Sequence, residues 1–113
     1  MVLLLLSNFV LWRRKMMIDR NQELAEKYFN SGKEKSKNGE VDLAIEDYTT
    51  AIELKPDYAE AYYYRGGSWL RLGEWEKARS DIETARKMKM DIIVVSDEIR
   101  QKYDRAWKTL GNI

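Results

Sequence analysis

The chain has 113 residues, 44% of them hydrophobic and 35% charged, so it has room for one small domain and no second one. Its 20 basic and 19 acidic side chains give a formal net charge of +1, which offers no electrostatic excess to attract nucleic acid. The sequence contains neither Cys nor His, which removes disulfides, thiolate metal sites and the commonest general base, so we expect no enzyme, no cofactor and no metal site.

Residues 1–17 form an apolar segment that ends in a basic cluster. The run VLLLLSNFVLW occupies residues 2–12, and Arg13, Arg14 and Lys15 follow it. As a helix the run is about 16 Å long, whereas the hydrocarbon core of a bilayer is ~30 Å thick. Because the basic residues follow the run, it does not resemble a secretory signal. Three interpretations remain open: a membrane anchor through Val2–Lys15, a segment packed on the repeats or on a partner, or a non-native extension before a start at Met16 or Met17.

From Asn21 onward, apolar and small residues recur at the three- and four-residue spacing of helices. Four stripes are separated by Asn38-Gly39, by Pro56 and by Gly73, which are residue types that end helices. The stripes are Leu24, Ala25, Tyr28, Phe29 and Gly32; Val41, Ala44, Ile45, Tyr48, Ala51 and Ile52; Tyr58, Ala61, Tyr62, Gly66, Trp69 and Leu70; and Trp75, Ala78, Ile82, Ala85 and Met88.

A fifth stripe follows Ser96, which is a suitable N-cap residue. It comprises Ile99, Tyr103, Ala106, Trp107 and Leu110, and Gly111 can end the helix. We expect a helix at 96–110 that closes the open end of the domain, which would then span residues 18–113.

Residues 25–58 repeat themselves at 59–92. A shift of 34 residues gives twelve identities, which begin with Ala25/Ala59 and include Gly39/Gly73 and Asp47/Asp81. A fixed period of this size is typical of stacked helical repeats, which usually act by offering a surface.

The repeated positions resemble the tetratricopeptide repeat (TPR), a helix–turn–helix of 34 residues. The resemblance covers roughly residues 22–92. It rests on Tyr28, Gly32, Ala44, Tyr48, Ala51 and Pro56 in repeat 1 (25–58), and on Tyr62, Gly66, Trp69, Ala78, Ile82 and Ala85 in repeat 2 (59–92). It implies an all-α fold of antiparallel helical hairpins, stacked as a short right-handed solenoid with a C-terminal capping helix.

Some positions depart from the TPR pattern. Ser31 and Arg65 stand where Leu is usual, Lys35 where a large apolar residue is usual and Met90 where Pro is usual. We therefore expect looser packing of the first helix and a less sharply fixed end of the second repeat. The small residues should let helices approach closely, and the carboxylates should lie on outer helix faces. The large aromatic residues should fill the spaces between helices: Tyr28, Tyr48, Tyr62, Trp69 and Trp75.

The resemblance also implies a function, namely binding of a partner's peptide or helix in the concave groove lined by the first helix of each repeat. By register, the groove residues are Glu26, Phe29, Lys33, Lys37, Glu60, Tyr63, Leu70 and Arg71, with Ser36 and Gly67 among them. We expect Phe29 and Tyr63 to be exposed apolar anchors, with Tyr62 in the core and Tyr64 on the outer or inter-repeat face. The cations at Lys33, Lys37 and Arg71 should attract carboxylates, although the Lys and Asn pattern of the chaperone-binding TPR subclass is absent.

The sequence therefore predicts a cytoplasmic protein–protein interaction module, an adaptor or assembly scaffold, with a protein or peptide partner. Two alternatives stay open: a membrane-tethered TPR module anchored by residues 1–15, and a self-associating TPR oligomer. No nucleic acid is expected.

Overall fold

The computed structural model describes residues 2–88 and Arg105 of the chain. Within residues 2–88 it contains four α-helices: α1 Val2–Lys37, α2 Val41–Leu54, α3 Ala59–Arg71 and α4 Trp75–Lys87. α1 packs against α2 and α3 packs against α4, while α2 also packs against α3. The predicted all-α fold of stacked helical hairpins is confirmed. The helix predicted at 96–110 lies outside the described residues.

Two glycines end the first helix of each hairpin in the same way. Gly39 and Gly73 have φ angles of +82° and +77°, in the left-handed region that residues with a Cβ rarely adopt. The backbone N–H of Glu40 donates to Lys35 O at 2.9 Å, and that of Glu74 donates to Trp69 O at 2.9 Å. These bonds, with those from the two glycine N–H groups, are the pattern of a Schellman motif. The 34-residue repeat is therefore visible in the backbone as well as in the sequence.

The main core lies where α1, α2 and α3 meet, and Tyr48 is at its centre with no exposed surface. Alanines at 25, 44, 51 and 61 are fully buried around it, which confirms that small residues allow close helix approach. At Gly32 the approach is closest, because a Cβ built there would lie 2.6 Å from Tyr48 Cε1. The glycine of the repeat is thus required by the ring of the facing helix.

Polar pairs occupy three of the positions that depart from the TPR pattern, and the fourth, Met90, lies outside the described residues. In the first hairpin, Asp47 accepts a hydrogen bond from Ser31 Oγ at 2.6 Å and pairs with Lys35 Nζ at 2.9 Å. The Asp47 carboxylate also holds the pKa of Lys35 above its ordinary value, chiefly through this hydrogen bond. The unusual residues of α1 therefore have a partner on α2.

In the second hairpin, Arg65 forms a bidentate pair with Asp81, with two N–O distances of 2.8 Å. The hydrogen bond to Asp81 also raises the pKa of Arg65. A further bond from Arg65 to Thr49 Oγ1 at 3.3 Å links the second hairpin to the first. The expectation that carboxylates lie on outer faces was wrong for Asp47 and Asp81, which are 8% and 5% exposed because each serves a cation or hydroxyl on the facing helix.

Two of the five aromatic residues expected to fill spaces between helices are instead exposed. Tyr28 and Trp75 expose 40% and 43% of their surface. The counterpart of Tyr28 in repeat 2, Tyr62, is half-buried because it packs on the core formed with α1 and α2. No helix within the described part of the chain covers the corresponding face of α1, and Trp75 stands at the first position of α4.

α1 has 36 residues, about 54 Å of helix, and passes without interruption through the predicted boundary at residue 17. Its packed part begins at Ala25, and the residues from Leu5 to Leu24 are exposed. None of the helices in the described ranges carries an apolar stretch long enough to cross a membrane.

Candidate partner-binding groove

The predicted groove positions lie on α1 and α3, the first helices of the two hairpins. The two helices are joined near their C-terminal ends, where Arg71 Nη1 donates to Ser36 O and to Ser36 Oγ, both at 3.0 Å. This contact places Ser36 and Arg71 side by side. The groove positions Lys33 and Lys37 lie within one turn of Ser36 on α1.

The two aromatic residues predicted as exposed anchors are buried, and this part of the prediction was wrong. Phe29 is 3% exposed, and its ring centroid lies 5.1 Å from those of Tyr58 and Tyr64. Tyr63 is also 3% exposed and packs in a cluster with Ile82 and Ala85. The reason is that Tyr58, which directly precedes α3, and Tyr64 on α3 pack against Phe29, while Ile82 and Ala85 of α4 pack against Tyr63. Both rings are part of the packed interior and leave almost no accessible surface on the groove face.

Of the three consecutive tyrosines, Tyr63 is placed differently from the prediction, whereas Tyr62 packs on the core and Tyr64 lies between the repeats, as predicted. Tyr63, expected in the groove, is the most buried, while Tyr62 and Tyr64 are half-buried. Tyr64 packs on Phe29 and Tyr48, and the Arg65 guanidinium lies 5.3 Å from the centroid of the Tyr62 ring. α3 has neighbours on both sides, so each of the three directions taken by these side chains meets another helix.

What remains accessible on the groove face is mainly polar. Lys37, Arg71 and Glu26 are exposed, and Lys33, Glu60 and Leu70 are half-buried, as are Ser36 and Gly67. Lys33 Nζ lies 4.9 Å from the centroid of the Phe29 ring, so this cation covers the buried aromatic cluster. Leu70 packs beside Tyr63 and supplies the remaining apolar surface among these positions.

The charges separate along the groove. Lys33, Lys37 and Arg71 lie toward the C-terminal ends of α1 and α3, where cations complement the helix dipoles. Within residues 5–88, none of these three cations forms an ion pair with a carboxylate. Glu26 and Glu60 lie toward the opposite end, each eleven residues before Lys37 or Arg71 on the same helix, which is about 16 Å. Both glutamates lie close to Tyr58. Burial raises the pKa of Tyr58 to about 12, and the negative charges of Glu60 and Glu26 add to the effect.

A buried hydroxyl lies beneath the basic end. Tyr48 is fully buried, and no hydrogen-bond partner for its Oη occurs among the described residues. Burial raises the pKa of Tyr48 well above its ordinary value, whereas the nearby Ser36 hydroxyl and Arg71 charge act in the opposite direction. The sequence predicted Tyr48 to be in the core, but it did not predict that the Tyr48 hydroxyl lies beneath Ser36 and Arg71. Residue spacing within a helix gives no information about this contact between helices.

Comparison with known families agrees with this architecture. Residues 32–73 match the family model described as TPR repeat, and the four helices are consistent with two such repeats. The match identifies a repeat that generally serves protein–protein interaction, and it identifies no catalytic domain. No curated protein matches the sequence.

Proposed function

Since this chain carries TPR repeats, we propose that it is a protein–protein interaction module that binds an extended segment of a partner along the groove between α1 and α3. The observation that carries the proposal is the separation of charge in this groove. Its basic end has three cations that have no carboxylate partner within residues 5–88, and its other end has Glu26 and Glu60.

The basic end is suited to carboxylates of the partner. Arg71 uses Nη1 for Ser36, so its other guanidinium N–H groups remain as donors toward the groove. Lys37 is exposed one residue from Ser36, and a carboxylate held between the two cations would form charge-assisted hydrogen bonds. The proposal therefore assigns acidic side chains of the partner to this end.

The length of the groove limits the size of the bound segment. Glu26 and Lys37 are eleven residues apart on α1, which is about 16 Å of helix. An extended peptide rises about 3.3 Å per residue, so about five residues span this distance. We expect a segment with acidic residues at one end, an apolar residue beside them that contacts Leu70, and basic residues at the other end.

The test uses labelled hexapeptides whose two ends are acidic and basic, or both neutral, with affinities measured by fluorescence anisotropy. Reversal of charge in Lys37→Glu/Arg71→Glu should weaken binding of the charged peptide by about tenfold or more, since one hydrogen bond to a charged group contributes about 1.5–3 kcal/mol. The matched control Lys27→Glu/Lys87→Glu changes two exposed lysines outside the groove and should bind like the wild type. Equal affinity for charged and neutral peptides, or an unchanged affinity of the groove variant, would reject the proposal.

A further inference from the structure

The N-terminal part of α1 is an exposed apolar helix, and none of the other described helices packs against it. We call residues 5–18 the arm. Its apolar side chains are exposed to between 48% and 70%: Leu5, Leu6, Phe9, Val10, Leu11, Trp12, Met16, Met17 and Ile18. Clusters of large apolar side chains at this exposure mark surfaces that contact a partner or a membrane.

The tip of the arm, residues 5–12, is apolar on nearly every side. Successive side chains on an α-helix point about 100° apart, so these eight residues make more than two turns, and Ser7 and Asn8 are the polar ones. A helix that lies in the plane of a membrane surface needs one polar face, and a coiled coil needs a single apolar seam. The tip has neither pattern. An apolar surface around the whole helix suits insertion into an apolar phase.

A collar of positive charge follows directly. Arg13, Arg14 and Lys15 are all exposed, and as consecutive residues they point in three directions around the helix. The sequence contains no acidic residue before Asp19, so nothing in the tip or collar offsets this charge. Trp12 is the last residue of the tip and adjoins the collar, with its ring 6.0 Å from that of Phe9, and Trp is the residue type that favours the boundary between lipid tails and headgroups.

We infer that the arm binds an anionic lipid bilayer, with the tip among the acyl chains and the collar at the headgroups. Residues 5–12 extend about 12 Å, and the helical apolar run 2–12 to which they belong extends about 16 Å, close to the ~15 Å of one leaflet, so the run matches the depth of a single leaflet. The collar cations contact the negative headgroups of that leaflet from all sides of the helix. The inference rests on residues that the groove proposal does not use.

The unbroken helix gives this contact a fixed geometry. α1 continues from Lys15 to Ala25, where packing on the repeats begins, without a Gly or Pro between them. Ten residues of helix measure about 15 Å. The repeats are therefore held at about this distance from the headgroups by a stiff connection.

The experiment is flotation of the full chain with vesicles of phosphatidylcholine alone and of phosphatidylcholine mixed with phosphatidylserine. The wild type should bind the anionic vesicles. Each basic side chain near an anionic surface strengthens binding about fivefold, so Arg13→Gln/Arg14→Gln/Lys15→Gln should weaken binding on the order of 100-fold. Phe9→Asp should abolish binding, because it places a charge among acyl chains while leaving the repeats, which Phe9 does not contact, folded.

A matched control removes three exposed charges elsewhere, in Lys27→Gln/Arg86→Gln/Lys87→Gln, and should bind anionic vesicles like the wild type. A wild type that floats with neither vesicle overturns the inference, as does a collar variant that binds as well as the wild type. Light scattering measures whether the chain forms oligomers. A wild-type oligomer that ignores vesicles and becomes a monomer on Phe9→Asp substitution would assign the tip to a second copy of the chain and overturn the lipid assignment.

Discussion

Replacing Gly32 by Ala tests the central contact of the first hairpin, because two effects of known size oppose each other there. Intrinsic helix propensity favours Ala over Gly by about 1 kcal/mol inside a helix. The added methyl group, however, would lie 2.6 Å from Tyr48 Cε1 and 2.8 Å from Tyr48 Cδ1, about 1 Å closer than the ~3.5–4 Å of favourable carbon–carbon contact. Tyr48 has no exposed surface, so any shift of its ring must be accommodated within the packed core.

Forcing an extra methyl group into a packed core costs typically about 1–3 kcal/mol, and the distances at Gly32 favour the upper part of that range. After subtraction of the propensity gain, we expect Gly32→Ala to lower the free energy of unfolding by about 1–2 kcal/mol. For a domain of this size that corresponds to a decrease in Tm of roughly 5–15 °C. Thermal and urea unfolding followed by circular dichroism measure both quantities.

Two further variants make this prediction decisive. Asn30→Ala adds the same residue at an exposed position of α1 and should be neutral or slightly stabilising, as helix propensity alone requires. In a Tyr48→Leu background the ring is absent, so Gly32→Ala should become neutral or stabilising, which gives a coupling of at least about 1 kcal/mol in the double-mutant cycle. Additive effects of the two substitutions, or a Gly32→Ala protein as stable as the wild type, would show that the contact does not limit the helix spacing.

Other predictions concern the second hairpin, alkaline pH and the turns. Arg65→Leu leaves the Asp81 charge buried without its partner and should cost about 3 kcal/mol or more in urea unfolding, and Arg65→Leu/Asp81→Leu should recover most of the loss; equal instability of both variants would contradict this. Because the pKa of Tyr58 is raised to about 12, burial of its neutral hydroxyl stabilises the fold fully below about pH 10, and this stabilisation is lost as pH rises through 12. Between pH 10 and 12 the free energy of unfolding should therefore fall less for Tyr58→Phe than for the wild type, by on the order of 2 kcal/mol. Gly39→Ala should lower the free energy of unfolding by about 1–2 kcal/mol through its positive φ alone, since nothing lies within 4 Å of the added Cβ, and an unchanged Tm would argue against the left-handed conformation.

The elements of the fold were predictable because their signals are local. Gly39 and Gly73 end helices through their own backbone freedom, which the sequence displays directly. The stripe of α2 is equally local, since residues three and four apart share a helix face, and Ala44, Tyr48 and Ala51 are all buried. The repeat then predicted which helices pair.

The exposure of individual side chains was less predictable, because it depends on how neighbouring helices cross. Phe29 occupies a groove position by register, yet the rings of Tyr58 and Tyr64 cover it. The position of a residue within the repeat gives the direction of its side chain, but the size of the neighbouring side chains decides whether that direction is open. At Phe29 the large rings of Tyr58 and Tyr64 occupy that direction and cover the side chain.

The buried carboxylates left a signal that could have been used. Asp47 lies three residues after Ala44 and four before Ala51, so it belongs to the buried stripe of α2. Asp81 repeats it 34 residues later. An acidic residue kept at a buried position in both copies implies a partner on the facing helix, and Ser31 and Arg65, which replace the usual Leu, are those partners.

The groove and the arm share α1, and this sets the relation between the two proposed contacts. Lys15 of the collar and Lys33 of the groove are 18 residues apart, which is five full turns, so both side chains lie on the same side of the helix, about 27 Å apart along its axis. Membrane binding would therefore give the groove one orientation relative to the lipid surface. Because no helix break lies between the two sites, we expect the arm to affect partner binding through position and local concentration rather than through a conformational change. A peptide's affinity for the groove in solution should accordingly be equal for the wild type and the collar variant, and a difference measured by anisotropy without vesicles would show that the two ends of α1 are coupled.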